Sequence, residues 1–187
     1  MILEKVESDI LTLRKVLPTD LDAIGEYRAE FLEHGGSMDG CSNLRRFEDM
    51  SQWYDWIRKA ERPETCPPNW VPDTQFVGVR RSDGRIVGML DIRQELNEAC
   101  LNFYGNIGYS IRASERRKGY ATGQLRLAKE ICRSMGLTRI LISCHRENTA
   151  SAKTILHNGG LLENEVVDPR NGEVLQRYWI DLTESFQ

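Results

Sequence analysis

The chain has 187 residues, of which 40% are hydrophobic and 28% charged, and its formal net charge is −3. This size and balance are typical of one globular domain, so we predict a single domain over residues 1–187. The negative net charge argues against a general nucleic-acid-binding function.

The cysteine pattern and the apolar runs bear on metal binding and on the cellular compartment. The five cysteines include no CxxC pair, so the sequence signals neither a zinc site nor a disulfide framework. The N-terminal segment carries acidic residues within its apolar stretch, which is unlike a signal peptide. No apolar run approaches the ~18 residues of a membrane span. We therefore expect a cytoplasmic protein with free thiols, no metal and no membrane partner.

The charges are unevenly distributed along the chain. Residues 1–50 hold 6 basic and 11 acidic side chains, whereas residues 101–150 hold 9 basic and 3 acidic ones. The second segment can therefore meet an anion while the first stays acidic, although two ordinary solvated faces would give the same counts.

In the first part of the chain, the pattern predicts one strand, two helices and a long loop. The strand covers residues 10–16, and the first helix follows it and ends at Gly35 and Gly36. A second helix is predicted over residues 43–60. Residues 61–72 contain four of the six prolines, which excludes a helix or a central strand there.

The remaining elements alternate between strands and helices. Strands are predicted over residues 75–80, 85–94, 106–112, 139–144, 161–167 and 174–180, and helices over residues 119–135 and 148–158. This order predicts an α/β fold in which a mixed, largely antiparallel sheet of about seven strands is flanked by about four helices.

A basic loop that opens a helix is the most informative segment. Residues 111–126 read IRASERRKGYATGQLR, so a strand leads into a short loop that holds Arg116, Arg117 and Lys118, and this loop opens a helix. The first backbone N–H groups of a helix lack intrahelical partners and carry the positive end of the helix dipole, which favours a bound phosphate. Gly119 lets the backbone approach an anion closely because it has no Cβ. Neither a Walker A loop nor a GxGxxG fingerprint is present; a basic surface turn is the alternative.

This segment resembles the coenzyme A motif of the GNAT N-acetyltransferases. The run from Arg116 to Ala121 matches the pattern R/Q-x-x-G-x-G/A, and the stretch from Asn148 to Gly160 is similar to the family's N-x-x-A/S helix. The resemblance implies acetyl-CoA as cosubstrate, a primary amine as acceptor, and direct transfer in a ternary complex. The coenzyme-binding residues that it implies are Ile111, Arg112, Ala113, Arg116, Arg117, Lys118, Gly119, Tyr120, Ala121, Asn148 and Ser151.

Two positions depart from the family pattern. Many members carry a tyrosine four residues after the Ala/Ser position as general acid, and Ile155 stands at that position here. Gly160 replaces the aromatic residue that usually closes the motif. The resemblance therefore does not locate the proton donor, and Tyr109 and Tyr120 are alternative donors.

The general base and the acceptor site rest on weaker signals. Glu95 is our candidate base because it shares one face of a predicted strand with Asp91 and Arg93 by alternation. Cys144 and His145 are strand neighbours that point to opposite faces, which argues against a nucleophilic pair. The residues expected to line the acceptor site, or else to belong to the core, are Trp53, Trp56 and Trp70.

Three functions remain open from the sequence. The first is an active N-acetyltransferase, and the second is a non-catalytic acyl-CoA sensor of the same fold. The third, a basic nucleic-acid-binding module, conflicts with the acidic net charge and with the lack of interleaved aromatic residues. The sequence leaves the choice between a monomer and a homodimer open.

Overall fold

A computed structural model of the chain describes residues 2–183. Its strands are β1 (Lys5–Glu7), β2 (Leu11–Lys15), β3 (Asp73–Arg80), β4 (Ile86–Arg93), β5 (Ile107–Ile111), β6 (Arg139–His145), β7 (Leu161–Val167) and β8 (Val174–Asp181). Its α-helices are α1 (Leu21–His34), α2 (Met50–Ala60), α3 (Tyr120–Ser134) and α4 (Thr149–His157). A short π-helical segment, Cys100–Tyr104, lies between β4 and β5.

The strands form two sheets that meet at one point. The first sheet has the order β1-β2-β3-β4-β5 and the second has the order β6-β8-β7. An isolated bridge between Gly105 and Ile142 joins them. The α/β class with a largely antiparallel sheet and four α-helices is confirmed. Within residues 2–183 every ladder is antiparallel, because the β5–α3–β6 crossover leads into the second sheet rather than to a parallel neighbour.

Each face of the larger sheet carries its own hydrophobic cluster. Successive side chains of a strand point to opposite faces, so Phe76 packs with helices α3 and α4, and Val77 packs with α1 and α2. Leu125 and Ile155 come from the first pair of helices, and Trp53 from the second, and all three side chains are fully buried. The helices thus cover both faces and leave the gap between the two sheets open.

Three details differ from the sequence-based expectation. Residues 2–183 form eight strands instead of about seven, because the three-residue β1 pairs with β2 at the sheet edge; its sequence, Lys-Val-Glu, is too short and polar to predict a strand. The second helix begins at Met50 instead of residue 43, since Asn43 has a left-handed φ of 63° and Asp49 accepts a hydrogen bond from the backbone N–H of Ser51 at 2.8 Å. The π-helical segment was not predicted.

No helix in the described part of the chain is long and apolar enough to cross a membrane.

Candidate active site

A cleft of about 850 Å³ opens where β5 and β6 diverge from the bridge between the two sheets. Its walls are the outer part of β5, the loop that leads into α3, the first turns of α3 and α4, the end of β6, and the turn between β7 and β8. The motif residues of the basic loop and the candidate helix cap at Asn148 therefore face one common space.

The segment before the basic loop is anchored to α1 by a buried carboxylate. Glu30 accepts hydrogen bonds from Arg112 Nε at 2.6 Å and from the backbone N–H of Ser114 at 2.7 Å. Burial would raise the pKa of Glu30, but the hydrogen bonds from Ser114 and Arg112 outweigh it and lower that pKa to about 2. The Arg112 guanidinium is consequently held away from the cleft by a structural ion pair.

A second buried carboxylate engages another residue of the basic run. Glu115 accepts hydrogen bonds from Lys118 Nζ and from Arg80 Nη1, both at 2.8 Å. The hydrogen bond from Lys118 and the charge of Arg80 lower the pKa of Glu115 despite its burial. Lys118 is therefore already paired, and Arg80 of β3 anchors the loop through the same carboxylate.

The start of α3 has the geometry of an anion site. Arg117 and Gly119 both have left-handed φ angles, of 61° and 80°, which turns the backbone sharply before the helix. Within residues 2–183 no side chain caps this helix end, so its first N–H groups face the cleft without a partner. Arg116 donates from Nε to the Ile111 carbonyl at 3.1 Å and lies over the Phe31 ring. Arg116 and Arg117 are both exposed at the mouth of the cleft.

The first turn of α4 forms the opposite wall. Asn148 Oδ1 accepts a hydrogen bond from the backbone N–H of Ser151 at 3.1 Å, so Asn148 caps this helix and lines the cleft as well. The Ser151 hydroxyl lies 2.7 Å from the Tyr109 hydroxyl of β5. The cleft thus contains a hydrogen-bonded pair of hydroxyl groups between its two walls.

Most, but not all, of the residues assigned to coenzyme binding line this cleft. Those that do are Ile111, Arg116, Arg117, Gly119, Tyr120, Ala121, Asn148 and Ser151. Arg112 and Ala113 line a separate shallow groove beside α1 instead, because Glu30 draws the segment toward that helix. Lys118 is absent from the cleft lining, although Glu115, with which it pairs, belongs to that lining.

The candidate base Glu95 lies apart from the cleft. Strand β4 ends at Arg93, so the alternation that was expected to place Glu95 beside Asp91 stops before it, and Glu95 is exposed outside the cleft lining. Asp91 accepts from the backbone N–H of Gly108 at 2.9 Å and from Arg93 Nη2 at 3.0 Å. Its neighbour Asp73 has a pKa raised to about 7, by burial and by the Asp91 charge. The role of Glu95 as general base stays a prediction that its position does not support.

The two departures from the family pattern are in contact with each other. Ile155 lies on α4, and its side chain is fully buried in the core. A Cβ at position 160 would lie 2.4 Å from Ile155 Cγ2 and 2.9 Å from the Ile155 carbonyl oxygen. The glycine at 160 is therefore required by the close approach of its backbone to the isoleucine.

The inner end of the cleft is lined by residues that the sequence analysis missed. Arg170, in the β7–β8 turn, donates to the buried Asp168 carboxylate from Nε at 2.8 Å and stacks over the rings of Phe103 and Tyr104 at 5.3 and 5.0 Å. The only sequence signal was the turn-rich composition of residues 168–172.

The three tryptophans expected to line the acceptor site lie outside the cleft lining: Trp53 is in the core, and Trp56 packs edge-on against Trp70, with 5.3 Å between ring centroids.

Cys144 and its strand neighbour His145 do not form a nucleophilic pair. Cys144 is buried against the core and also lines the cleft beside Ser151, whereas His145 is exposed and its Nδ1 lies 3.4 Å from Glu173 Oε2. In the described residues, no group of three or more His, Cys, Asp or Glu side chains is arranged to hold a metal ion.

Comparison with known proteins agrees with this geometry. A family model described as "Acetyltransferase (GNAT) domain" matches residues 11–160. A search of curated proteins finds no match. Among solved structures, Mycobacterium smegmatis RimJ in complex with CoA-disulfide is 22% identical, with a TM-score of 0.68, over 91% of this chain and 81% of that one.

Two further structures have similar scores. RimL, a ribosomal L7/L12 alpha-N-protein acetyltransferase solved in complex with coenzyme A as a disulfide with one of its cysteines, is 17% identical, with a TM-score of 0.71, over 95% of this chain and 98% of that one. The ribosomal-protein-S5-alanine acetyltransferase of Vibrio fischeri is 15% identical, with a TM-score of 0.69, over 96% of this chain and 97% of that one. At these identities the structures establish the fold, and the family model covers most of the chain: the protein belongs to the GNAT acetyltransferase family.

Proposed function

We propose that this protein is an acetyl-CoA-dependent N-acetyltransferase that moves the acetyl group to a primary amine by direct transfer in a ternary complex. The observation that carries the proposal is the uncapped start of α3, which opens into the cleft between two exposed arginines, Arg116 and Arg117. The same cleft continues inward between β5 and β6, and a long, narrow cosubstrate can follow it.

The pyrophosphate of the cosubstrate is proposed to bind at the start of α3. The unpartnered N–H groups and the helix dipole favour an anion there, and a Cβ at Gly119 would meet no heavy atom within 4 Å, so the space above it is open. Arg116 and Arg117 supply the positive charge that no carboxylate within residues 2–183 neutralises, since Arg112 and Lys118 are already paired with Glu30 and Glu115.

The pantetheine arm is proposed to run along β5, past Asn148 and Ser151, toward the bridge between the sheets. This direction leads from the exposed loop to the closed end of the cleft, so the thioester comes to lie near Tyr109 and Ser143. Attack by the amine nitrogen forms the C–N bond and breaks the C–S bond; the amine loses its proton and the leaving thiolate takes one up. Holding both reactants in line supplies much of the rate.

The acceptor is proposed to be an amine that is cationic in solution. The carboxylates of Asp39 and Glu173 line the cleft, and its basic residues Arg93 and Arg170 are already paired with Asp91 and Asp168, so negative charge remains to attract such an acceptor. RimL and the Vibrio fischeri relative are named for acetylation of ribosomal proteins, so a protein α-amino group falls within the proposed class. All five cysteines are free, which supports the proposed reducing, cytoplasmic compartment.

One observation favours a second function, a non-catalytic acyl-CoA sensor. The position at which the resemblance expects a general acid holds the buried Ile155. A sensor would bind acetyl-CoA in the same cleft without releasing free thiol when amines are added, so turnover with an amine panel separates the two functions.

The test of the proposal compares two glycines at opposite ends of α3. Gly119→Glu places bulk and negative charge where the pyrophosphate would lie, and we expect calorimetry to show at least about a hundredfold loss of acetyl-CoA affinity. Gly136→Glu is the matched control: Gly136 follows the same helix, has a φ of 85° against 80° for Gly119, and also has open space around it. Both variants therefore carry the same backbone strain.

Two outcomes would contradict the proposal. One is a folded wild-type protein that binds no acetyl-CoA at millimolar concentration. The other is an equal loss of affinity in the two variants, which would trace the effect to backbone strain instead of to a phosphate site.

A further inference from the structure

Asn106 joins the two sheets at the closed end of the cleft with all four of its polar groups. Its backbone N–H donates to the Leu141 carbonyl and its own carbonyl accepts from the backbone N–H of Arg93, both at 2.7 Å. Its side-chain Nδ2 donates to the Arg93 carbonyl at 3.0 Å and its Oδ1 accepts from the Leu141 N–H at 2.8 Å. One buried amide therefore ties β4 to β6.

We call this contact of residues 105–106 with residues 141–142 the vertex of the cleft, and the neighbouring Gly105 also fixes it. Gly105 has a left-handed φ of 68°, and a Cβ there would lie 2.4 Å from the Leu141 carbonyl oxygen. Within residues 2–183, the bridge from Gly105 to Ile142 is the single ladder contact between the sheets. Past it, the two strands separate, and residues from both of them line the cleft.

The side chains around this vertex form the floor of the cleft. Ile107, Phe103 and Ser143 line its closed end, and Ile107 is almost completely buried. Arg93 also lines it and donates from Nη1 to the Gly105 carbonyl at 3.3 Å. If the proposed function holds, an acyl group at the end of the pantetheine arm meets this floor.

We propose that Asn106 is a positioning residue that fixes the separation of β4 and β6 at the vertex, and that it thereby restricts the acyl group to the size of an acetyl. This inference rests on the proposed function. Asparagine suits the position because its side-chain amide offers a donor and an acceptor at the same distance from its backbone. An apolar residue would leave the Leu141 N–H and the Arg93 carbonyl with one bond fewer in a buried place, which is costly.

The experiment measures acyl-chain selectivity in the full chain. Calorimetry gives the affinities of wild type and of Asn106→Asp for CoA, acetyl-CoA and butyryl-CoA. Aspartate has the same size as asparagine, so no cavity forms. When ionised it cannot donate to Arg93, and one of its carboxylate oxygens then lies against the Arg93 carbonyl oxygen. We expect affinity for CoA to stay within about threefold and the butyryl-to-acetyl affinity ratio to rise about tenfold, the scale of a methylene-sized change in a pocket.

The matched control removes another buried amide that donates to β4. Gln124 of α3 donates from Nε2 to the Met89 carbonyl at 2.9 Å, in the middle of the sheet and outside the cleft lining. Gln124→Leu should lower the free energy of unfolding by a similar amount without changing the selectivity ratio. Asn106→Ser, which keeps a hydroxyl at the vertex, replaces Asn106→Asp if the latter does not fold.

The outcomes separate this inference from the proposed function. Binding of CoA and acetyl-CoA by the wild type, with a butyryl-to-acetyl ratio that does not change at position 106, overturns the inference alone. An equal change in Gln124→Leu also overturns it, because selectivity would then follow general stability. Failure of the wild type to bind any of the three overturns the proposed function and, with it, the inference.

Discussion

Tyr109 and Ser151 place two hydroxyl groups 2.7 Å apart inside the cleft, one on each wall. Burial raises the pKa of Tyr109 well above its ordinary value, while the hydrogen bond to Ser151 opposes that rise. The tyrosine therefore keeps its proton throughout the neutral and mildly alkaline range. A protonated hydroxyl at this place can donate a hydrogen bond, and under the proposed function the leaving thiolate would accept it, in a chain whose residue 155 has no donor.

We predict that Tyr109→Phe lowers kcat about a hundredfold while the affinity for acetyl-CoA changes little, because the donor acts mainly after the C–S bond begins to break. Thiol release and calorimetry measure the two quantities. Tyr178→Phe is the control: its hydroxyl donates to Gln176, its ring belongs to the same core cluster, and it lies outside the cleft lining. An unchanged kcat in Tyr109→Phe would exclude this role.

The contact between Gly160 and Ile155 explains why the aromatic residue of the family pattern is absent at 160. An aromatic side chain at 160 would need a Cβ 2.4 Å from the isoleucine methyl group, a separation that core packing does not tolerate. The same Cβ would also lie 2.9 Å from the backbone carbonyl oxygen of residue 155, so the glycine is required at 160 whichever side chain stands at 155.

Among the elements, α1 and the loop before α3 are joined by a single carboxylate. Glu30 of α1 reaches Arg112, 82 residues further along the chain, and also the Ser114 backbone. Because the folded-state pKa of Glu30 is lowered to about 2 from 4.5, its stabilising contribution is fully present above about pH 4.5. It is lost as the pH falls from there toward 2.

We predict that Glu30→Gln lowers the free energy of unfolding near pH 7 by on the order of 1–3 kcal/mol. The difference from wild type should shrink as the pH falls below about 4.5. Urea denaturation at several pH values measures both effects. Glu33→Gln, an exposed carboxylate on the same helix, is the control and should change stability by less than about 0.5 kcal/mol. A difference that does not depend on pH would contradict this account.

Across the whole molecule, the mouth of the cleft carries positive charge although the net charge is −3. It presents the exposed Arg116 and Arg117, while the nearby Glu115 is already paired with Arg80 and Lys118. A polyanionic cosubstrate therefore meets a locally positive entrance on a negatively charged protein, and salt screens that attraction.

We predict that raising the ionic strength from about 0.05 to 0.5 M weakens acetyl-CoA binding several-fold, and that Arg117→Gln both weakens binding and flattens this dependence. Titrations at a series of salt concentrations measure the slope. Arg58→Gln removes the same charge from an exposed position on α2 and should leave the slope unchanged. A parallel change in both variants would indicate net charge, not the entrance, as the cause.

The sequence by itself determined most of the element order and the uncapped, basic start of α3. Both depend on local rules: apolar residues recur with the period of a helix or a strand, and a left-handed glycine with a basic run before a helix leaves N–H groups free for an anion. The four α-helices followed from these signals, and the family followed from the resemblance of residues 116–121 to a known coenzyme A motif. The three-residue β1 did not, because its partner rather than its own pattern makes it a strand.

Tertiary structure alone decided which of the basic residues lack a carboxylate partner among the described residues, and so can meet an anion, and where the cleft ends. Arg112 and Lys118 read like Arg116 and Arg117 in the sequence, yet only the folded chain brings Glu30 to Arg112, and Arg80 of β3 to the Glu115 that pairs locally with Lys118. The vertex at Asn106 and the stacking of Arg170 on Phe103 likewise join segments far apart in the chain. Such contacts depend on how two sheets and four helices pack, and no periodicity along the chain encodes that packing.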